Sequence, residues 1–492
     1  MRESVVKTLQ RLGQHETDWR RLLATYGLSL AVHFVALLIC SLIVFEHPAW
    51  DEVFTSIVTF DEGDPTELVV SAPIQPDQLI DRSTDAPVLE PTAAMFADAN
   101  SPVSLKINDL DPALKLEELA APALANLDLS SETSGRSAGA RAALVKKFGG
   151  NSASEAAVAS GLRWLARHQL SDGGWNFSHA AHPDCNGACT QSGDMVECRI
   201  AATGLALLSY LGGGHTHQSG SFQLQVKRGL EFLLKSGKLS SNGLDLRGEL
   251  GSDHTHAAFY SQGIATIALC ELLALTKDGQ LASPAQNAIN FILSYQDPIG
   301  GGWRYEPQQA GDTSVVGWQI MALKSGQNSG LTVPFQSFRG AERFLNRVQS
   351  EQGSRYGYTG SSNPTPATTA VGLLCRMYLG WGKRDGGLRK GVVYLDRTKP
   401  SHNNMYYNYY ATQVLHHYGG EEWTRWNDVM RDQLVNTQLS EQSGHLAGSW
   451  DVADPHGSSG GRLYMTCLAV MTLEVYYRHL PIYQRDKLKV EY

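Results

Sequence analysis

Hydrophobic and polar positions alternate between two patterns along residues 150–480, and both patterns predict helices. One kind of segment is apolar on a single stripe, as in GLRWLARHQ from Gly161. The other kind is apolar at nearly every position and rich in small residues, as in SQGIATIALCELLAL from Ser261. A helix with one apolar stripe lies between core and solvent, whereas a helix that is apolar all round must be enclosed. The alternation therefore predicts an outer and an inner layer of helices.

Each kind of segment occurs six times, and the two kinds follow each other along the chain. The one-stripe segments begin at Gly161, Gly229, Ala288, Ala341, Gly391 and Arg431. The apolar segments begin at Ile200, Ser261, Thr313, Pro366, Tyr409 and Tyr464. No single helical hairpin can bury its own apolar face, so the repeats must close on one another. We therefore predict an all-α fold, an (α/α)6 toroid of six helical hairpins, with a capping box, Ser152-x-x-Glu155, at its start.

Four of the loops between these segments share one order of residues: a glutamine, then glycines, then an aromatic residue. The pairs are Gln169 with Trp175, Gln296 with Trp303, Gln349 with Tyr358, and Gln438 with Trp450. Glycine adopts positive φ without strain, and a glutamine amide can satisfy carbonyls left free at a helix end. We therefore expect these loops to be structural. They resemble the QW repeats of terpenoid cyclases, so the chain resembles the prenyltransferase and squalene-cyclase repeat family.

The resemblance implies that residues 151–480 form a terpenoid-cyclase-like toroid whose cavity binds an isoprenoid or another apolar ligand. The stretch GDTSVVGWQIMAL is similar to the part of squalene-hopene cyclases that carries the DxDDTA motif, in which a carboxylic acid protonates the substrate. The first four motif positions read Gln309-Ala310-Gly311-Asp312, so Gly311 stands where the family has its proton-donating aspartate. Asp312 is the candidate catalytic acid or orienting group, and a helix N-cap is its alternative role.

Polar and aromatic residues near the starts of the apolar helices are candidates for a ligand cavity, because those starts gather at one mouth of such a ring. These residues are His254, His256, Thr313, Trp318, Tyr406, Tyr409, Gln413, Arg462 and Tyr464. Aromatic faces can stabilise a carbocation, and they also fill ordinary cores. Two functions therefore stay open: an isomerase or transferase acting on an apolar substrate, and a non-catalytic toroid that recognises a peptide, lipid or glycan.

Three of the seven cysteines fall together in one loop. Cys185, Cys189 and Cys198 lie in HPDCNGACTQSGDMVEC, whereas the other cysteines lie in apolar stretches. Two thiolates four residues apart, together with a histidine or a third cysteine, could hold zinc. A disulfide and free thiols are the alternatives. Zinc is the only cofactor that the residues bring into consideration, and they do not require it.

Residues 22–45 predict a single transmembrane helix, because LLATYGLSLAVHFVALLICSLIVF contains no Asp, Glu, Lys or Arg. A helix rising about 1.5 Å per residue needs roughly 20 such residues to cross a bilayer. Basic Arg20 and Arg21 precede the segment, and acidic Glu46 and Asp51 follow it. The positive-inside rule then places residues 1–21 in the cytoplasm and the toroid outside it. We expect a single-pass protein of the inner, cytoplasmic membrane, with the lipid bilayer as a partner.

Residues 46–150 are rich in Asp, Glu, Pro, Ala and Ser and predict an acidic linker that is mostly disordered. At its end, ARAALVKKFGG predicts a helical lead-in that stops at Gly149 and Gly150. Residues 481–492 form a short tail. The net charge of −8 provides no basic surface of the kind that phosphate binding needs, so no nucleic-acid partner is expected.

Overall fold

A computed structural model describes residues 127, 133–250, 252–454 and 457–483. The predicted transmembrane helix at 22–45, the segment 1–21, most of the predicted linker and most of the predicted tail lie outside these residues. What the structure describes is therefore the predicted toroid and the short stretch that leads into it.

The described residues form helices of three kinds. The lead-in helix is α1 (Ala138–Phe148), and the short last helix is α14 (Val475–Arg478). The one-stripe helices are α2 (Ser152–Arg167), α4 (Gln223–Ser236), α6 (Ala282–Ser294), α8 (Phe335–Val348), α10 (Gly386–Thr398) and α12 (Glu421–Thr437). The apolar helices are α3 (Arg199–Gly212), α5 (Ala258–Thr276), α7 (Thr313–Asn328), α9 (Pro366–Tyr378), α11 (Met405–Tyr418) and α13 (Gly461–Leu473). Two loops contain small antiparallel hairpins, β1 (Lys238–Ser240) with β2 (Gly243–Asp245) and β3 (Gln349–Ser350) with β4 (Arg355–Tyr356).

The apolar helices close into an inner ring. Each packs against the next along the chain, and α13 packs against α3. Each one-stripe helix packs on the outside against the apolar helix that precedes it, with α2 lying on α13. All residues of α13 are buried, whereas α8 buries only one face. The predicted (α/α)6 toroid, with the apolar helix of every pair inside, is confirmed.

The folded part begins ahead of residue 151, because the lead-in packs on the ring. Helix α1 ends at Phe148, and its C-cap residue Gly149 adopts φ 90°, as the predicted stop requires. The indole Nε1 of Trp423 in α12 donates to the carbonyl of Phe148 at 3.0 Å. The lead-in thus belongs to the same core as the outer helices.

The capping box of α2 lies one residue earlier than predicted. Asn151 is the N-cap, and its Oδ1 accepts from the Ser154 amide at 2.9 Å, while the Ser154 hydroxyl accepts from the Asn151 amide at 3.1 Å. Glu155 instead lies 3.6 Å from Arg141 of the lead-in helix. The prediction from Ser152 was wrong because asparagine caps as well as serine does, and a serine at the third position can close the box.

One described stretch, His254–Thr276, has the 23-residue length and the apolar composition that a membrane span needs. In the structure 94% of its apolar window is buried inside the ring. The apolar composition of this stretch is thus explained by its position in the inner ring.

The glutamine and tryptophan of the repeated loops have separate structural roles. The side-chain amide of Gln169 donates to Gly173 in its own loop at 2.7 Å and to Gln225 in the next outer helix at 2.9 Å. The Trp175 indole donates to the Leu165 carbonyl near the end of α2 at 2.8 Å. The same contacts occur for Gln296 with Trp303 and for Gln438 with Trp450. The indole therefore satisfies the helix-end carbonyl, and the glutamine joins neighbouring hairpins.

In the fourth loop the aromatic partner of Gln349 is Tyr356, so the predicted pairing with Tyr358 is wrong. Gln349 and Tyr356 face each other in the β3–β4 ladder. A tyrosine ring lacks the indole N–H that donates a hydrogen bond in the other loops. Here Arg376 is the donor: it donates to the Tyr356 hydroxyl at 3.1 Å and to Oε1 of Gln349 at 3.1 Å. The Tyr358 hydroxyl instead lies 2.7 Å from that of Tyr305.

Candidate functional site

A cavity with about 530 Å³ of empty space, part of it open to solvent, lies at the end of the ring where the inner helices begin. Aromatic side chains dominate its wall: Phe177, Tyr260, Trp318, Tyr406 and Tyr464. The first two turns of α3 and α5 contribute aliphatic side chains. The other lining residues come from the segments before α3, α5 and α13: Met195, Cys198, Ala257, Ser459 and Gly460. We call this space the mouth cavity. Its apolar wall suits a molecule that gains by leaving water.

Some of the predicted cavity residues line this space, and others do not. Trp318, Tyr406 and Tyr464 line the mouth cavity. Tyr409 lines a second cavity at the other end of the ring, with about 540 Å³ of empty space that is also partly open. The rings of Trp318 and Tyr409 stack with centroids 5.9 Å apart. The stacked pair therefore stands between the two cavities.

Thr313, Gln413 and Arg462 line neither of these two cavities; each holds backbone or loop structure within the described residues. The Thr313 hydroxyl donates to the Gly357 carbonyl at 2.6 Å, and the Gln413 amide donates to a helix carbonyl one turn earlier at 3.3 Å. Arg462 is fully buried and donates to Asp451 Oδ1 at 2.5 Å. These hydrogen bonds are structural, although Oε1 of Gln413 is buried without a hydrogen-bond partner among the described residues.

The two predicted histidines lie in the 3-10 segment just before α5, beside the mouth. Nδ1 of His254 lies 3.9 Å from Oε2 of Glu197, and the His256 ring meets the edge of Tyr305 with centroids 6.1 Å apart. Neither histidine is part of the wall of the mouth cavity. We assign them no direct role at the ligand.

Asp312 is the N-cap of α7 and is fully buried. Its Oδ1 accepts from the Val315 amide at 2.8 Å, and its Oδ2 lies 3.7 Å from Nε of Arg304. Burial raises the pKa of Asp312 to about 6, although the cap bond and Arg304 lower it. Asp312 is not part of the mouth-cavity wall. The structure therefore places it in the capping role that the sequence left as its alternative.

Close packing explains why the residue before Asp312 is a glycine. A side chain at Gly311 would bring a Cβ within 2.8 Å of the Gly302 Cα and 2.9 Å of the Trp303 amide nitrogen, and atoms that close cannot coexist. The loop before α7 thus has no room for an aspartate at the position of the family's proton donor. Packing in this loop therefore excludes an aspartate at position 311, where the sequence has glycine.

The second cavity borders a buried cluster of charges. Arg136 from the lead-in lies 2.6 Å from Glu271 of α5, and Nη2 of Arg478 reaches both Glu271 oxygens at 3.2 Å. Nη1 of Arg478 lies 3.4 Å from Glu474. Burial alone would raise the pKa of Glu271, but the two guanidinium groups together lower it. Burial raises the pKa of Glu474 to about 8 against the opposing effect of Arg478.

None of these charged residues was among the site residues predicted from the sequence. The sequence does contain a signal for Glu271, since it interrupts the apolar run IALCELLAL in an inner helix. A carboxylate in an enclosed helix needs a buried cation. Two cations supply the charge, Arg136 from the predicted linker and Arg478 from the short last helix, so the pairing could not be predicted from the repeats.

Two of the three predicted cysteines gather with two histidines at one place. One ligand-type atom each from His168, Cys185, Cys189 and His445 lies within 4.8 Å of the others. Burial lowers the pKa of His168 to about 3 and raises that of Cys189 to about 11, which holds both groups neutral. All six cysteines of the described part are free thiols in the structure. Cys198 lies apart and lines the mouth cavity.

No protein-family model and no curated protein matches this sequence. Several solved structures are similar in fold. Cellobiose 2-epimerase from Bacillus thermoamylovorans is 12% identical, with a TM-score of 0.47, and the match covers 68% of this chain and 99% of that one. An α-1,6-mannanase from a Salegentibacter species is 11% identical, with a TM-score of 0.45 and coverage of 66% and 98%. The type II terpene cyclase MstE from Scytonema is 13% identical, with a TM-score of 0.42 and coverage of 66% and 97%. At these TM-scores the activities of the three proteins indicate nothing about this chain.

Proposed function

We propose that this chain is a binding protein whose toroid takes up an elongated apolar molecule, an isoprenoid in the first instance, through the mouth cavity. The observation that carries the proposal is the wall of that cavity, which is built from aromatic and aliphatic side chains. Trp318, Tyr260, Tyr406 and Tyr464 contribute aromatic rings to that wall.

Binding without cyclisation is the form of the proposal that the residues support. A catalytic acid has to reach the ligand and protonate it. Asp312 instead accepts from the Val315 amide and lies outside the cavity wall, and a side chain at Gly311 would clash with the neighbouring loop. Among the described residues, the wall of the mouth cavity contains no aspartate or glutamate.

The predicted membrane anchor fits the same proposal. A helix over residues 22–45 with its N-terminus in the cytoplasm would tether the toroid outside the membrane, close to a supply of apolar molecules. Labelling intact cells with a membrane-impermeant reagent tests this placement. Toroid lysines that are labelled only after the cells are lysed would contradict it.

Farnesol binding to the full-length protein in detergent tests the function. We expect farnesol to quench tryptophan fluorescence with saturation, and a water-soluble oligosaccharide to have no effect. Ala201→Phe places a ring in the mouth cavity and should weaken farnesol binding by about tenfold or more, which is roughly 1.4 kcal/mol. Ala274→Phe places the same ring in the second cavity and is the matched control.

Two results would overturn the proposal. One is an absence of saturable farnesol binding by the parent protein. The other is a reversed pattern, in which Ala274→Phe weakens binding and Ala201→Phe does not. Native mass spectrometry of the purified protein should in addition detect a co-purified lipid that Ala201→Phe fails to retain.

A further inference from the structure

Two cysteines and two histidines face one another where the first and sixth hairpins meet. Sγ of Cys189 lies 3.5 Å from Nε2 of His168 and 3.2 Å from Nδ1 of His445. The fourth group is the thiol of Cys185, and all four atoms lie within 4.8 Å of one another. In a tetrahedral zinc site, with bonds of about 2.3 Å to sulfur and about 2.0 Å to nitrogen, a sulfur and a nitrogen lie about 3.5 Å apart. The two distances from Cys189 Sγ match the edges of such a tetrahedron, and the remaining ligand atoms lie within 4.8 Å of one another.

The backbone turns sharply to bring the two thiols together. Asn186 and Gly187 follow Cys185 and both adopt positive φ, 43° and 76°. The Cys189 amide then donates to Sγ of Cys185 at 3.3 Å. An N–H directed at a sulfur stabilises the thiolate form, which is the form that binds a metal. The turn between the cysteines therefore presents a pair of metal-ligand groups.

The orientation of His168 is set by a hydrogen bond on its far side. Nδ1 of His168 donates to the Trp164 carbonyl at 2.7 Å, which leaves the lone pair of Nε2 directed at Cys189. Metal-bound histidines commonly donate their second ring nitrogen to a carbonyl in this way. The nearby His182 has Nε2 at 2.8 Å from the Gln169 carbonyl and is not part of the cluster. His168 is thus positioned as a ligand.

We propose that His168, Cys185, Cys189 and His445 bind one zinc ion that holds the first and sixth hairpins together. Thiolate and imidazole groups in a tetrahedron are the set that zinc prefers. Four protein ligands leave no open position, so the ion is structural and takes no part in catalysis. On binding, the two thiols release their protons to solvent, and two thiolates with Zn²⁺ make a neutral buried site.

The position of the site gives the ion its role. His168 and the two cysteines belong to the first hairpin, and His445 belongs to the loop of the sixth, 256 residues after Cys189. Arg462 joins the same two loops, because it donates to the Thr190 carbonyl at 3.0 Å and to the Ser449 hydroxyl at 3.1 Å. The ring closes here without a covalent connection between neighbouring repeats. A metal ion supplies four bonds at that junction.

Metal analysis of the full-length protein, purified in detergent without chelators, tests the site. We expect one zinc ion per chain by native mass spectrometry and elemental analysis. Cys189→Ser and His445→Ala should lose the zinc. The matched controls are Cys198→Ser, a buried cysteine outside the cluster, and His402→Ala, an exposed histidine, and both should keep it.

A second measurement requires no substitution, so it does not depend on the variants folding. Replacement of zinc by Co²⁺ in the parent protein should produce the thiolate-to-metal charge-transfer absorption and the strong visible bands of a tetrahedral site. The proposal is overturned if the parent protein neither contains nor takes up zinc or Co²⁺. It is equally overturned if the two thiols form a disulfide, seen as a loss of two hydrogen masses, or if both cluster variants retain the metal.

Discussion

The side-chain amide of Gln438 donates a 2.8 Å hydrogen bond to the carbonyl of Ala157, which joins the end of the last outer helix to the first one. The same amide donates to Gly448 in its own loop at 2.9 Å. Gln169 makes the corresponding pair of bonds between the first and second hairpins. The contact that links neighbouring repeats elsewhere therefore also closes the ring.

Gln438→Leu keeps the size of the side chain and removes both donated hydrogen bonds. We expect the free energy of unfolding to fall by about 1–2 kcal/mol, because each lost internal hydrogen bond costs about 1 kcal/mol. Urea unfolding followed by circular dichroism measures the change. The control is Gln280→Leu at an exposed position, which should change stability by less than about 0.5 kcal/mol. Equal stability of Gln438→Leu and the parent would show that this bond does not hold the ring closed.

The helices, their order and their layers could be predicted from sequence because burial alone distinguishes the two patterns. Helix α5 is apolar all round and fully enclosed over most of its length, while α8 keeps a polar face to solvent. Such patterns are local, because the apolar positions within about four turns of a helix indicate which of its faces are buried. Six repeats of this pair of patterns were therefore enough to predict a closed ring.

The chemistry that depends on distant pairs could not be predicted in the same way. His445 lies beside Cys189 only because the ring closes, and nothing near His445 in the sequence marks it as a ligand. Arg136 pairs with Glu271 across 135 residues from a segment that composition indicates as linker. The spacing of residues in the fourth loop also led to the wrong aromatic partner for Gln349, because in this loop Arg376 takes the place of the indole donor. Long-range contacts follow from the closed fold and not from any short pattern.

Two glutamates of one buried cluster should respond to pH in opposite ways. Burial raises the pKa of Glu474 from 4.5 to about 8, so the native state binds its proton more tightly than the unfolded chain does. The stability that this proton gives is complete below pH 4.5 and is lost as the pH rises through about 8. Glu474→Gln removes the titration and leaves Arg478 paired with Glu271. Relative to the parent, this variant should gain on the order of a few kcal/mol between pH 5 and pH 8.

Glu271→Gln is the matched comparison at the neighbouring carboxylate. It leaves the guanidinium groups of Arg136 and Arg478 buried without their shared partner, so stability should fall by roughly 3–5 kcal/mol throughout the range pH 5–8. Chemical unfolding of parent and both variants at several pH values measures the two effects. Parallel curves for Glu474→Gln and the parent would mean that Glu474 is charged in the folded state at neutral pH.

Asp312 should act on stability through its cap and not on ligand binding. Asp312→Asn keeps an oxygen that can accept from the Val315 amide, whereas Asp312→Ala loses it and should cost about 1–2 kcal/mol. Burial raises the pKa of Asp312 from 3.8 to about 6, so its protonated form stabilises the fold at low pH and that contribution is lost as the pH rises through about 6. Asp312→Asn should therefore be more stable than the parent above pH 6, with unchanged farnesol affinity. Loss of farnesol binding in a stable Asp312→Asn protein would instead assign Asp312 to the ligand.

Removal of the proposed metal should weaken binding in the mouth cavity, a prediction that rests on both proposals. The loop that carries the two cluster cysteines also places Phe177 and Met195 in the cavity wall. The Met195 amide donates to the Ser459 carbonyl at 3.2 Å, and Ser459 belongs to the loop from the sixth hairpin. Loss of zinc at the junction of these loops frees both of them, so one side of the cavity becomes less ordered. We expect farnesol affinity to fall by about tenfold, roughly 1.4 kcal/mol, in His445→Ala.

The ring itself should survive in His445→Ala, which separates loosening of the loops from unfolding. The Gln438 amide still reaches Ala157, and Arg462 still donates to the Thr190 carbonyl. Helical circular dichroism should therefore match the parent, while hydrogen exchange at residues 177–195 speeds up. His402→Ala at an exposed position controls for loss of a histidine as such. If zinc-free His445→Ala binds farnesol as the parent does, the loops hold the cavity wall without the metal. If its helical signal falls as well, the four bonds at the junction are required to close the ring.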